Sequence, residues 1–130
     1  MTEPDFSGSW TIRSSTSRFF PTHSSLEIKR KRPRAADFAL AVTWENGTTL
    51  KVIEKGFSLE NGALKGSFCH PKNKPKKDQE KFQLVVTWCP ATFADGKQRL
   101  FGLLLPAVGS FADEGTGVWV AEAIPREQTT

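Results

Sequence analysis

Large apolar residues recur at every second position in this chain, and turn-forming residues interrupt the pattern about every ten residues. Phe38, Leu40, Val42 and Trp44 alternate with Ala39, Ala41 and Thr43, and Asn46-Gly47 follows at once. Helical periodicity is absent. Side chains of an extended strand point alternately to its two faces, so the large residues of one segment share one side. Burying one such side chain stabilises by about 1.5–3 kcal/mol, enough to fix the register. The large-residue face is therefore the interior face.

Asn-Gly is a strong hairpin signal, because both central residues of a type I′ turn need positive φ. Thr48 to Ile53 returns as the partner strand. Phe57 to Glu60, Asn61-Gly62 and Ala63 to Phe68 read as a second hairpin of the same kind. Lys81 to Trp88, an Asp95-Gly96 turn, Arg99 to Leu105 and Gly117 to Ile124 follow, while Gly8 to Ser14 and Ser25 to Lys31 precede them. Eight or nine short strands at this spacing are the pattern of a sandwich or barrel. Gly8-Ser9-Trp10 opens the first strand and Gly117-Val118-Trp119 lies in the last. Pairing of these two strands closes a barrel and removes its exposed edges. The predicted fold is all-β: a single-domain, antiparallel up-and-down β-barrel of about eight strands over residues 1–130.

The segment Phe38-Ala-Leu-Ala-Val-Thr-Trp44 is echoed by Phe82-Gln-Leu-Val-Val-Thr-Trp88, and Phe57-Ser-Leu59 by Phe101-Gly-Leu103 at the same offset. Two strands with the same job, or an old duplication, both account for this. The intervening residues do not match, which favours the first.

Composition excludes several classes of chemistry. The chain has 130 residues, ten Phe, four Trp and no Tyr, so no phenol serves as acid, base or donor. No apolar run approaches the ~20 residues of a spanning helix, so no membrane is expected. The polar, acidic start carries no signal-peptide pattern, and Cys69 and Cys89 are too few for a disulfide framework. The expected location is cytoplasmic, with both thiols reduced. Cys69, His70 and Cys89 have no familiar zinc spacing, so neither metal nor cofactor is expected. Two stretches break the strand pattern. Lys29-Arg30-Lys31-Arg32-Pro33-Arg34 reads as a strand end running into a turn. Residues 70–80 read as a mobile basic loop and 125–130 as a flexible tail. Lysines and arginines in these runs could meet phosphates, but +4 is a modest net charge and 14 acidic residues are dispersed among 18 basic ones. Nucleic acid is accordingly not the expected partner.

Gly8-Ser9-Trp10-Thr11, Val85-Val86-Thr87-Trp88 and Leu64-Lys65-Gly66-Ser67-Phe68 after Asn61-Gly62 together resemble calycins, the superfamily of lipocalins and avidins. The resemblance implies an eight-stranded barrel with a ligand cavity at one mouth, where Trp88 and Trp119 would line the cavity. The avidin branch places a tyrosine near its ligand's ureido group, and this chain has none.

The leading functional expectation is a barrel that binds a small apolar or aromatic molecule. Its cavity is expected to be lined by Trp10, Trp44, Trp88 and Trp119. Ser14, Arg18 and His23, between the first two strands, are the polar groups expected to orient the guest. A mouth plugged by Phe19 and Phe20 would count against this expectation outright. The alternative is a cofactor-free cyclase or isomerase in the same cavity, with His23 or Glu122 as general acid or base. The last strand is apolar on both faces, with Val118, Val120 and Ile124 opposite Trp119, Ala121 and Ala123. A strand of that kind is covered on both faces. A homodimer or larger homo-oligomer through that strand is the expected outcome, and sedimentation at high concentration checks it: a monomer contradicts it.

Overall fold

Alternation turns into eight strands: β1 (Gly8–Ser15), β2 (Ser25–Arg30), β3 (Asp37–Thr43), β4 (Thr49–Glu60), β5 (Ala63–His70), β6 (Glu80–Trp88), β7 (Arg99–Pro106) and β8 (Gly117–Ala123). The structure, a computed structural model, describes residues 6–31, 37–70, 75, 80–88, 98–106 and 116–123. Most of the 70–80 loop, the 125–130 tail, Cys89, Ile124 and the Asp95-Gly96 turn lie outside these residues. Each strand pairs antiparallel with its neighbour in chain order, and β1 pairs with β8 from Trp10↔Ala123 to Ser15↔Trp119. The result is a closed, all-β, up-and-down barrel, with no helix among the described residues.

The large-residue faces do form the interior. Leu26 and Ile28, Phe38, Leu40 and Val42, and Phe82, Leu84 and Val86 are all buried, while Glu27, Lys29 and Gln83 between them are exposed. Register carries this pattern from strand to strand: Leu26 faces Val42, and Val86 faces Gly102.

Two local expectations change. The turn at Asn61-Gly62 has positive φ at both residues, 51° and 84°, and is the tight hairpin expected. At Asn46-Gly47 only Gly47 has positive φ, 90°. There the Gly47 N–H donates to Trp44 O at 2.8 Å, the Trp44 N–H donates to Thr48 O at 2.8 Å, and the Thr48 N–H donates to Asn46 Oδ1 at 2.9 Å. This is a three-residue loop ending in a left-handed glycine, not a two-residue type I′ turn. The expected strands Thr48–Ile53 and Phe57–Glu60 are also one strand, β4, bent at Gly56 (φ 80°). A bulge lets a strand continue through a break in its alternation.

Gly102 has a packing reason. It faces Trp119 across the β7–β8 ladder, and a Cβ at this position would land inside the Trp119 indole. The bare backbone of β7 thus makes room for the Trp119 indole, which is 1% exposed. Gly102→Ala is expected to lower stability by about 2–3 kcal/mol through overpacking, read from the urea midpoint. Trp119→Phe should recover part of that loss in the double variant, because the two sites share one contact.

Candidate functional site

Strand direction sorts the interior aromatics into two groups. β1, β3, β5 and β7 run one way and β2, β4, β6 and β8 the other, so the start of β1 and the end of β6 share one barrel end. At this end Phe6 stacks on Trp88 with centroids 5.6 Å apart, and Trp10 meets Trp88 edge-on at 5.7 Å. The Trp10 indole N–H donates to Phe6 O at 3.1 Å. Phe6 is 1% exposed, so its side chain is drawn into the barrel end.

The other end holds the β1–β2 connection. Its serines build it from within. The Ser17 N–H donates to Ser15 Oγ at 2.9 Å, and the Phe19 N–H donates to Ser17 Oγ at 3.2 Å. The His23 N–H donates to Ile12 O at 2.8 Å, with His23 at φ 75°. Short polar side chains that bond to nearby backbone stabilise such a turn. The turn aims Phe19 and Phe20 inward. Phe19 meets the rings of Phe68 at 5.4 Å, Phe82 at 5.3 Å and His70 at 4.7 Å, and Phe20 meets Trp119 at 5.3 Å. Trp44 reaches in from the β3–β4 loop, and its indole N–H donates to Phe19 O at 3.1 Å.

These positions correct the expected cavity. Phe19 and Phe20 occupy the mouth that was expected to be open. The four tryptophans do not surround one hollow: Trp10 and Trp88 meet at one end, while Trp44 and Trp119 both contact the plug at the other. Trp10 and Trp119 are buried, and Trp44 and Trp88 are half-buried. Ser14, Arg18 and His23 are exposed and do not converge on the interior.

Glu122 lies on the outer face, opposite Thr11 and Arg99, whereas its neighbours Ala121 and Ala123 follow the inward pattern of Trp119. Its carboxylate accepts from Arg13 Nε at 2.7 Å and from Arg99 Nη2 at 2.8 Å and Nε at 3.1 Å. This clasp ties β1, β8 and β7 together from outside. It places Glu122 away from the cavity chemistry expected of it, because alternation along β8 sets it opposite Ala121.

Two indole N–H groups stand out. Trp88 Nε1 and Trp119 Nε1 are buried with no hydrogen-bond partner, as is Ser24 Oγ. An unmet buried donor costs about 1–3 kcal/mol, so each such group calls for an explanation. Sequence reasoning did not place Phe6, Phe68 or His70 at the site. The signal for the plug was present: Phe19-Phe20 is an apolar pair inside a serine-rich connection. Among the described residues no group of three or more His, Cys, Asp or Glu side chains could hold a metal ion. On the β2–β4 outer face the basic residues stand beside acids, Lys29 Nζ 3.1 Å from Glu27 and Lys51 Nζ 3.9 Å from Glu54. Comparisons with family models, with curated proteins and with solved structures found no match.

Removing the shared carboxylate leaves Arg99, whose side chain is only 14% exposed, beside Arg13. Glu122→Ala is expected to lower stability by about 3 kcal/mol. Arg13→Ala should cost under about 1 kcal/mol, since that side chain is 54% exposed and well solvated. Urea unfolding of the two variants checks the order.

Proposed function

We propose that the barrel binds a small, flat, apolar or aromatic molecule that carries a hydrogen-bond acceptor. The observation that carries this reading is the Trp119 indole N–H, buried beside Gly102 and Phe20 with no acceptor. Supplying an acceptor there removes a cost of about 1–3 kcal/mol, and a flat apolar body adds dispersion against Phe20 and Trp119. Eight-stranded barrels have room for side chains or for one small guest. A calycin-like barrel is compatible with the closed antiparallel topology, and that likeness favours an interior guest over a surface one.

Phe19 sits where the guest goes, so binding includes its displacement. The connection that carries Phe19 is held largely by its own serines and by single backbone bonds, not by a ladder. A side chain on a segment of that kind shifts at lower cost than one held on paired strands. No interior position belongs to Ser14, Arg18, His23 or Glu122, and nothing favours the cyclase or isomerase reading over binding.

Flavone, a planar aromatic ketone, is a suitable probe. Each of the four indole N–H groups gives its own signal in a ¹H–¹⁵N spectrum. Flavone is expected to move the Trp119 signal downfield, as hydrogen bonding does, and to raise the thermal midpoint. Phe19→Ala should bind about tenfold tighter, because less of the binding free energy goes into moving a ring out of the guest's place. If neither the natural chain nor a folded Phe19→Ala variant shows a flavone-dependent indole shift, the proposal fails.

A further inference from the structure

β4 and β5 are joined by far less ladder than their lengths allow. β4 has 12 residues and β5 has 8, yet they pair only at Ser58↔Lys65, Leu59↔Leu64 and Glu60↔Ala63. On its other side β5 pairs along its whole length, from Ala63↔Thr87 to His70↔Glu80. The cause lies in β4. Between Leu40↔Ile53 and Phe38↔Phe57, β3 advances two residues while β4 advances four. Glu54-Lys55-Gly56 absorbs the surplus, with Gly56 at φ 80°. A bulge bends and twists its strand, and here it separates the first part of β4 from β5. Val52 and Ile53 are adjacent and both buried, at a second slip of the β3–β4 register, from Ala41↔Lys51 to Leu40↔Ile53.

A cleft of about 290 Å³ lies where the strands part, between residues 52–55 of β4 and 67–69 of β5. Three of the side chains that line it belong to the interior: Val52, Ile53 and Phe68 are 1%, 2% and 7% exposed. Phe68 stacks on Phe82 at 5.3 Å and meets Phe19 at 5.4 Å. It is at once the inner wall of the cleft and a member of the plug cluster. The described ends of the barrel are occupied by Phe6 and by Phe19 with Phe20.

From this arrangement we infer that the β4–β5 seam is the passage by which a guest reaches the interior, with Phe68 as the side chain that moves aside. The inference rests on the reading that the interior binds a small apolar molecule. Passage between any other pair of strands has to break a longer ladder. Along this seam no ladder pairing is present beyond the three residues at its closed end. The rim carries one acid and one base, Glu54 and Lys55, above an apolar wall. That combination suits a neutral planar guest and gives little attraction to an ion of either sign.

Cys69 is a free thiol in the lining of the cleft. A Cys89→Ser variant leaves it as the one target for N-phenylmaleimide. Stopped-flow tryptophan fluorescence with flavone then compares labelled and unlabelled protein. Blocking a passage slows association and dissociation alike and leaves the equilibrium unchanged. The expected result is a fall of about tenfold in both rate constants with the same Kd. Unchanged association in the labelled protein overturns the passage, and so does a loss of affinity with no change in association rate. Absence of flavone binding to the unlabelled protein overturns the interior reading and this inference with it. Hydrogen exchange tests the seam without a ligand. Amides at 53–55 and 67–69 are expected to exchange faster than those at 83–87, and equal protection overturns the open seam.

Discussion

Because β1 pairs with β8, every strand has a neighbour on both sides and the inner faces of all eight share one interior. This closure governs everything that follows. It removes a free edge that could pair with another chain. It also sets the inside from the outside of each strand, so a side chain's role depends on whether its position is odd or even along the strand. On β8 this parity puts Trp119 and Ala121 in the core and Glu122 outside, where Arg13 and Arg99 hold its carboxylate. The outer clasp lies across the same β1–β8 and β7–β8 ladders that close the barrel, and so reinforces the closure.

The indole N–H groups show where the interior is satisfied and where it is not. Trp10 donates to Phe6 O and Trp44 to Phe19 O, each using a carbonyl from a segment that closes one end of the barrel. The ends are thus held by polar bonds as well as by ring packing. Trp88 and Trp119 have no such carbonyl within reach. Ring contacts account for their burial but not for their donors. Satisfied and unsatisfied indoles thus stand side by side in one core.

Much of the fold was legible in the residues. The alternation in β3 and β6 places their inner faces, and Asn61-Gly62 marks a tight turn that both φ values satisfy. Reading failed where a local signal had two structural outcomes. Asn46-Gly47 fits a two-residue turn or a three-residue loop, and the bonds of Trp44 to Gly47 and Thr48 select the second. The break in alternation near Gly56 resembles a turn between strands, but the chain continues as one bent β4. The site was less legible than the fold. The four tryptophans were expected around one cavity, yet they group at two ends, because residues alone do not show which end of a barrel a strand terminates at. The echo between Phe38–Trp44 and Phe82–Trp88 illustrates the point: β3 and β6 run in opposite directions, so Trp44 and Trp88 finish at opposite ends.

What the sequence determined by itself is the set of strands and the face each turns inward, since both follow from side chains one or two residues apart on a pleated backbone. What only the tertiary structure decided is which of those faces meet and what fills the space between them. The Glu122 clasp joins residues 109 and 23 positions apart, and the plug brings Phe19 against Phe68 and Phe82. Contacts over such separations depend on the strand order, the register and the bulge in β4. These are properties of the closed sheet as a whole, and no single segment of the chain carries them.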